Sequence, residues 1–470
     1  MSQNQTERAH RLQRDWERLS KRYLPVSFED SKWRYSRPLT NDDPEQGWKL
    51  HITATVLSAN RILTRVAPLL RRRGVLFKAP VSLQELSNLN SGLYYGFSQV
   101  GKFITVYPRD PEEAVFLAGK LDRLAFRLPG PAVPYDRQLR RNSSVYYRYG
   151  GFNPLNIKHR DGTHSLAIRD PKGRLIPDLR APGTAIPKWL EDPFADPRLG
   201  KRAQVGTPNP LKRTILAYEA ISQRGKGGVY RALDISVSPM RLCILKEGRR
   251  DGETDWDGRD GYWRVKHEEH VLSSLLARSV PVPKIYSGFE VEKHYYLVME
   301  YVEGQSLQSL LSSRRKKLGI SEAIQYGLQL ANLLDGIHTA GWVWRDCKPT
   351  NIMISESGTL VPVDFEGACP VDRPDPMPWG TPGYAPYDSF QKAVPAKRLP
   401  DDLYALGAVL YQLLSGRIPS VTPPQIPTRK LGRRVPLAVT DIVTALLSPD
   451  PHLRPAAFIV SQLLESRAIH

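Results

Sequence analysis

Lys49 and His51 stand two residues apart in residues 47–55, which read GWKLHITAT. Polar and apolar residues alternate in this segment as they do in a β-strand, so both basic side chains would point to the same side of the strand. Neighbouring cations repel each other unless an anion lies between them. The pattern therefore predicts an anion-binding site at this strand, although a Lys-x-His pair is more often part of a solvated face.

A second set of chemically informative residues lies in the C-terminal half. A glycine-rich turn in ISQRGKGGVYRA (residues 221–232) precedes Lys246 in CILK and Glu268 in the amphipathic segment VKHEEHVLSSLL. The segments GWVWRDCKPTNIMI and LVPVDFEGA follow further along the chain. A glycine-rich turn alone is equally typical of a plain hairpin, but the whole ordered set is not expected by chance. This ordered set resembles the protein kinase signature.

The resemblance implies a nucleotide site built around a lysine. Lys246, held by Glu268, would orient the α- and β-phosphates of ATP or GTP. Small residues in the turn would let backbone N–H groups approach phosphate oxygens. The remaining candidates for contact with the nucleotide are Gly225, Gly227, Gly228, Val229, Glu300 and Val302.

Four further residues match the catalytic positions of a kinase. Asp346 would accept the proton of a substrate hydroxyl, and Lys348 would neutralise the transferring phosphoryl group. Asn351 and Asp364 would hold Mg²⁺. Some positions depart from the pattern, yet the base and metal positions remain, so we expect an active but divergent kinase; the departures are Ser222, Arg224, Trp344, Glu366 and Tyr387.

Composition narrows the class of protein. The chain has 470 residues with 41% apolar content, a net charge of +19 and a pI of about 9.7, which predicts two or three globular domains with anionic partners. Its three cysteines show no C-x-x-C spacing, which argues against a disulfide framework and a structural zinc site. A polar N-terminus and the lack of a long apolar run exclude a signal peptide and a membrane span, so we expect a cytoplasmic protein.

The elements that position these residues predict an α+β fold. Trp16, Leu19 and Tyr23 recur at helical spacing, and residues 59–73 form a second helix with a basic end. Residues 161–208 are rich in proline, glycine and charge, which indicates a linker and a boundary near residue 205. We therefore predict one domain over residues 1–205 and a bilobal kinase-like domain over residues 206–470. Strands are expected at residues 50–57, 74–77, 102–107 and 145–152.

The N-terminal half carries a more specific resemblance. The segments GKFITVYP, YYRYGGFNPL and DPKGRLIPDLRAPGTAIPKWLEDPF, together with the D-F-E kinase, resemble the class III and class IV lanthipeptide synthetases over essentially the whole chain. The resemblance implies that the kinase domain phosphorylates Ser and Thr of a ribosomally made precursor peptide with a leader. It also implies that the N-terminal domain, similar to bacterial phosphothreonine lyases, eliminates the phosphate to give dehydroalanine or dehydrobutyrine.

The family pattern for the lyase is a Lys-x-His pair followed by a later lysine, matched here by Lys49, His51 and Lys78. Elimination needs a positioned base, a positioned acid and charge stabilisation. Lys78 would take the Cα proton, with a pKa lowered by neighbouring cations. His51, protonated next to the phosphate, would donate to the leaving group. Lys49, Lys102 and Arg148 would bind the phosphate dianion.

Other interpretations stay open at this point. The synthetases usually continue into a cyclase domain, so either the sequence is cut after the kinase domain or a separate cyclase forms the rings. The alternative function is a Ser/Thr protein kinase whose N-terminal domain only binds peptides or regulates. A nucleic-acid-binding protein is disfavoured because no interleaved aromatic and basic motif of the RNA-binding type is present. We therefore expect no nucleic-acid partner.

Overall fold

The computed structural model describes residues 3–28, 31–153, 155–195, 214–314, 317–375, 377, 379–386, 398–419, 431–432 and 434–468. It confirms the predicted α+β class, with a mixed N-terminal part followed by a bilobal part. The predicted boundary near residue 205 lies outside the described residues, so the division into 1–205 and 206–470 stays a prediction.

Seven described strands of the N-terminal part form one antiparallel sheet in the order β1-β2-β4-β5-β3-β7-β6. These strands are β1 (Val26–Ser27), β2 (Trp33–Tyr35), β3 (Gln46–Ile52), β4 (Leu76–Pro80), β5 (Ile104–Tyr107), β6 (Arg137–Gln138) and β7 (Val145–Gly151). The helices beside it are α1 (Gln3–Tyr23), α2 (Ala59–Arg72), α3 (Leu83–Ser91) and α4 (Pro111–Leu124). Both predicted helices are therefore confirmed.

One face of this sheet is apolar and the other is polar. Leu50 on β3, Phe77 on β4 and Val106 on β5 are fully buried in one core cluster with residues of α2 and α4. Because side chains alternate along a strand, their neighbours Lys49, His51 and Lys78 face the opposite side. The apolar face thus fixes the direction of the basic residues.

Two predictions from the sequence are corrected. The strand predicted over residues 50–57 instead runs from Gln46 to Ile52. The chain then turns into α2, where the Thr55 N–H donates to Ser58 Oγ at 2.9 Å and the Ser58 N–H donates to Thr55 Oγ1 at 3.2 Å. The stretch predicted as a linker instead contributes strands to a small antiparallel sheet. Its polar residues and turn glycines are those of hairpins with exposed faces. This sheet consists of β8 (Leu155–Lys158), β9 (His164–Arg169) and β10 (Leu175–Pro177).

The first lobe of the C-terminal part is an antiparallel sheet with one helix. The strand order is β11-β12-β13-β15-β14. Helix α5 (Gly261–Ala277) begins at Asp260, whose side chain accepts from the Trp263 N–H at 2.9 Å. The strands are β11 (Ile215–Arg224), β12 (Gly227–Asp234), β13 (Arg241–Gly248), β14 (Ile285–Val291) and β15 (His294–Glu300).

The second lobe is mainly helical and has its own large apolar core. Its described helices are α6 (Leu307–Ser313), α7 (Ile320–Thr339), α8 (Leu399–Ser415), α9 (Leu437–Leu446) and α10 (Ala457–Ala468). Short strands lie between β15 and α8 along the chain and flank the predicted catalytic residues; they are β16 (Gly304–Ser306), β17 (Trp342–Val343), β18 (Ile352–Ser355), β19 (Leu360–Pro362) and β20 (Cys369–Pro370). The cleft between the two lobes lies between β12–β13 and these segments.

Candidate active sites

Strand register gathers the predicted basic residues of the N-terminal sheet on one face. Lys49 on β3 lies directly opposite Arg148 on β7. His51 pairs with Thr105 on β5, and Thr105 pairs with Lys78 on β4. Directly paired residues share a face. The sheet therefore brings together side chains that are up to 99 positions apart in the sequence.

Asp136 anchors the histidine of this site. Its Oδ2 lies 2.5 Å from Nδ1 of His51, and its Oδ1 lies 3.3 Å from Nζ of Lys102. Burial alone would raise the pKa of Asp136, but the surrounding cationic groups outweigh burial and lower it to about 2. Burial lowers the pKa of His51 to about 3 although Asp136 opposes this, so the imidazole is neutral in the free protein.

The lysines of the site have strongly lowered pKa values. Burial lowers the pKa of Lys49 to about 7, helped by neighbouring positive charges and opposed by Asp178. Burial and the charge of Arg180 lower the pKa of Lys78 to about 8. Burial lowers the pKa of Lys102 to about 8 as well. Each lysine is thus able to gain or lose a proton near neutral pH.

Two residues that follow β10 complete the cluster. Asp178 Oδ1 accepts from Arg148 at 2.5 Å, and both side chains are 4% exposed. Arg180 acts electrostatically on Lys49 and Lys78. Its Nε is buried without a hydrogen-bond partner among the described residues. This guanidinium is therefore able to bind an incoming anion.

Sequence reasoning missed Asp136, Asp178 and Arg180. Asp178 and Arg180 lie within the stretch that was interpreted as a linker. Asp136 precedes the two-residue strand β6, and no periodicity marks its position. The available signal was electrostatic, because buried lysines and a histidine require a carboxylate nearby.

The predicted ion pair of the kinase cleft, between Lys246 and Glu268, is formed. Nζ of Lys246 lies 2.7 Å and 2.8 Å from the carboxylate oxygens of Glu268 and 3.3 Å from Oδ1 of Asp364. Burial alone would lower the pKa of Lys246, but the carboxylates of Asp364, Glu268 and Glu366 reverse this effect and raise it above its ordinary value. Lys246 therefore stays charged at neutral pH.

The catalytic segment of the second lobe is held by a closed network. Nζ of Lys348 donates to Oδ2 of Asp346 and to Oγ1 of Thr381, both at 2.8 Å. Thr381 donates to Oδ1 of Asp346 at 3.0 Å, and Asn351 donates to its Oδ2 at 2.9 Å. The structure thus brings Asp346, Lys348 and Asn351 together, and adds Thr381, which sequence reasoning did not include.

Trp344 takes over a structural role at one of the departures from the kinase pattern. Its ring is fully buried and stacks on Phe365 with ring centres 5.4 Å apart. Its Nε1–H donates to the backbone oxygen of Asp364 at 3.0 Å. Asp402 accepts from the backbone N–H groups of Trp344 and Arg345 at 2.8 Å and 2.7 Å. Asp364 and the catalytic segment are thereby positioned without a histidine.

The glycine-rich turn lies between β11 and β12. Ser222 and Arg224 belong to β11, so the turn itself is Gly225–Lys226. Gly227 has a φ of 154°, and a Cβ there would lie 1.6 Å from Glu247 O, so only glycine fits. The predicted nucleotide-binding residues surround the cleft: Gly228 and Val229 lie on β12, Val229 pairs with Lys246, and Glu300 and Val302 lie at and just beyond the end of β15.

Oxygen donors near Asp364 fit a divalent cation. Carboxylate oxygens of Glu268, Asp364 and Glu366 lie within 4.8 Å of one another. An all-oxygen donor set suits Mg²⁺. Asp364 and Asn351 would hold the ion, and the ion would neutralise the charge of the phosphate groups.

The C-terminal half matches a known protein family. The protein kinase domain family matches residues 225–466, which is more than half of the chain. The chain belongs to the protein kinase family. A second family, described as RamC, N-terminal domain, matches residues 17–205 directly in front of the kinase domain. A protein kinase domain implies the use of ATP and a divalent metal.

Relatives of this kinase are of two kinds. The "Probable SapB synthase" of Streptomyces coelicolor is 31% identical over 394 residues, covering 81% of this chain and 41% of the synthase. Serine/threonine-protein kinase F of Synechocystis is 26% identical over 273 residues, covering 53% of this chain and 54% of that kinase. This chain therefore spans less than half of the synthase. The resemblance predicted from the sequence is confirmed to this extent: a match to the RamC N-terminal domain precedes the match to the protein kinase domain.

None of the described helices of this kinase is both long enough and apolar enough to cross a lipid bilayer.

Proposed function

We propose that the chain is a peptide dehydratase with two active sites, acting in lanthipeptide biosynthesis. The kinase domain phosphorylates Ser and Thr of a ribosomally made precursor peptide with a leader, and the N-terminal domain eliminates the phosphate. The observation that carries this proposal is the convergence of five basic side chains with a His–Asp pair on the N-terminal sheet. The similarity to the "Probable SapB synthase", which extends across both domains, supports it.

In the phosphorylation step, Asp346 accepts the proton of the substrate hydroxyl while the oxygen attacks the γ-phosphorus of ATP or GTP. Lys348, which lies 2.8 Å from Asp346, neutralises the transferring phosphoryl group. Lys246 orients the α- and β-phosphates, and its charge is secured by the carboxylates around it. Asn351 and Asp364 would hold Mg²⁺, which would neutralise the charge of the phosphate groups.

In the elimination step, two bonds of the phosphorylated residue break and one double bond forms. Lys78 in its neutral form takes the Cα proton, which a pKa of about 8 permits near neutral pH. The electron pair of the broken C–H bond forms the Cα=Cβ double bond, and the Cβ–O bond breaks. Phosphate leaves with the electron pair of that bond. The products are dehydroalanine from phosphoserine and dehydrobutyrine from phosphothreonine.

Binding of the phosphate dianion prepares the acid of this step. Lys49, Lys102, Arg148 and Arg180 supply the charge-assisted hydrogen bonds. A dianion next to His51 raises the pKa of the imidazole, so His51 becomes charged only when substrate is bound. It then donates its proton to the leaving phosphate. Asp136 orients the ring through Nδ1 and is thus a positioning residue.

The proposed dehydratase function also indicates the type of precursor peptide, the cellular compartment and the need for a cyclase. The chain carries a net charge of +19, which favours a precursor peptide with an acidic leader. The three cysteines are free and buried, as expected of a protein that works in the reducing cytoplasm. Ring formation is assigned to a cyclase, either a separate protein or a further domain.

The second candidate function is a Ser/Thr protein kinase with a non-catalytic N-terminal domain. The observation in its favour is the similarity of the kinase domain alone to bacterial Ser/Thr kinases. A purely regulatory domain would not require one buried lysine and two partly buried lysines, all with lowered pKa values, around a histidine.

Mass spectrometry distinguishes the two functions. A Ser/Thr-rich peptide incubated with the protein, ATP and Mg²⁺ should lose 18 Da for each modified residue, which is the mass of water. A synthetic phosphopeptide should lose phosphate without any nucleotide. A peptide that only gains phosphate, combined with a stable phosphopeptide, would establish the second function instead.

A further inference from the structure

A lysine of the glycine-rich turn and one departure from the kinase pattern meet in the cleft. Lys226 stands between two glycines of the turn, and Glu366 stands where D-F-G has its glycine. They are 140 positions apart, yet Nζ of Lys226 forms an ion pair with Oε2 of Glu366. The other carboxylate oxygen of Glu366 lies 3.7 Å from Nζ of Lys246. Each unusual charge thus has the other as its partner.

The pair lies where the phosphates of a nucleotide are expected. Lys246 contacts Glu268 and Asp364, which form the centre of the cleft, and Glu366 joins the same group of carboxylates. The Glu366 side chain is 5% exposed, whereas that of Lys226 is 23% exposed. The lysine is therefore the member of the pair that an incoming ligand reaches first.

The turn that carries Lys226 is fixed by the N-terminal domain. The Gly225 N–H donates to the backbone oxygen of Ser91 at the end of α3, at 3.0 Å. The Arg249 N–H donates to Lys226 O at 2.8 Å, and the Arg249 guanidinium lies 4.8 Å from the centre of the Phe97 ring. Because the Gly225 N–H is engaged by the other domain, this turn offers fewer backbone donors to a phosphate. A lysine side chain is able to replace them.

We infer that Lys226 binds the phosphates of the nucleotide as a second cation beside Lys246, and that Glu366 orients Lys226 before the nucleotide arrives. The inference rests on the kinase part of the proposed function. A lysine is a compact point charge on a flexible stem, so it can move from a carboxylate to a phosphate oxygen. Glu366 then keeps Lys246 as its neighbouring cation.

In the opposite interpretation, the Lys226–Glu366 ion pair inhibits nucleotide binding. In that case the Lys226–Glu366 contact would close the cleft, and nucleotide binding would have to break it without a new partner for Lys226. Removal of the lysine would then strengthen nucleotide binding. The two interpretations therefore predict affinity changes of opposite sign.

The test is calorimetric titration of the full chain with a non-hydrolysable triphosphate and Mg²⁺, compared with the nucleoside alone. Lys226→Met keeps the length of the side chain and removes its charge. We expect triphosphate affinity to fall by about 10-fold or more, as for loss of a charge-assisted hydrogen bond, while nucleoside affinity is unchanged. Lys226→Arg should restore most of the affinity. Lys266→Met, which alters an exposed lysine on α5, is the matched control and should behave as wild type.

Three results would overturn the inference. An unchanged or tighter triphosphate affinity of Lys226→Met would show that the lysine does not bind phosphate. Equal weakening for triphosphate and nucleoside would show an effect on the fold of the lobe. If the wild-type chain binds neither ATP nor GTP analogues, the kinase part of the proposed function fails together with the inference.

Discussion

Lysine side chains line both sites, but the charge of the groups around them differs: it is mainly positive in the N-terminal cluster and mainly negative in the kinase cleft. In the N-terminal cluster, Lys49, Lys78 and Lys102 share two carboxylates with two arginines, and their pKa values are lowered to between about 7 and about 8. In the kinase cleft, Lys246 is surrounded by three carboxylates and its pKa is raised. Burial acts in the same direction at both sites, so the neighbouring charges decide the outcome.

The pKa of each lysine determines the chemistry that it is able to perform. A lysine with a lowered pKa is partly neutral near pH 7 and therefore serves as a base. A lysine with a raised pKa is a permanent cation that positions phosphate groups. The proposed function would thus use the same residue type for proton transfer in one domain and for electrostatics in the other.

The largest expected effect separates these roles by substitution with arginine. Arginine keeps a positive charge but cannot act as a base near neutral pH. We expect both Lys78→Ala and Lys78→Arg to slow phosphopeptide elimination on the order of 10²-fold or more. In the kinase cleft, Lys246→Arg should phosphorylate faster than Lys246→Ala, because the cation is kept. Steady-state rates of the two half-reactions check this. Elimination by Lys78→Arg at the wild-type rate would contradict the assignment.

An intermediate effect is the pH dependence of the two reactions. kcat/KM for elimination should fall above about pH 7 to pH 8, because Lys49 and Lys102 must be charged to bind the phosphate and lose their protons in this range. Phosphorylation should show no such limb from Lys246, which keeps its proton in this range. Rates on a synthetic phosphopeptide from pH 6 to pH 9 test this. A flat elimination profile is the contradictory result.

The smallest expected effect concerns stability. The pKa of Lys49 is about 7 in the folded protein, against 10.5 for an ordinary lysine. Between these values the unfolded chain binds more protons, so Lys49 makes stability rise with pH; this contribution is complete above pH 10.5 and is lost as the pH falls to 7. Denaturant titrations at pH 7 and pH 9 should show a smaller rise for Lys49→Met than for wild type. Lys120→Met, at an exposed lysine on α4, is the control. An equal rise in the free energy of unfolding between pH 7 and pH 9 for all three proteins would contradict the lowered pKa of Lys49.

The sequence was sufficient to bring together part of the candidate sites. Kinase motifs occur in a set order, and the predicted pair of Lys246 and Glu268 is formed beside Asp364. The alternation around Lys49 and His51 correctly indicated a shared face, because strand periodicity is local.

Contacts between distant segments were not predictable in the same way. Asp136 meets His51 only because β7 pairs with both β3 and β6. Arg180 was not predicted because it lies in residues 161–208. The composition of this stretch is typical of a linker, although part of the stretch forms strands. The Lys226–Glu366 pair joins residues on different lobes. Long-range register and packing decide such contacts, and neither leaves a local pattern in the sequence.

The central claim is that the chain carries two separate chemistries in two domains. It is tested most directly by giving Asp346→Asn and His51→Ala the same two peptides, one unmodified with ATP and Mg²⁺ and one already phosphorylated. The account predicts that Asp346→Asn dehydrates only the phosphopeptide, because the lyase residues remain intact. His51→Ala should phosphorylate the unmodified peptide and accumulate it without dehydration. Dehydration of the phosphopeptide by His51→Ala at the wild-type rate would contradict the account, and the N-terminal domain would then be regulatory.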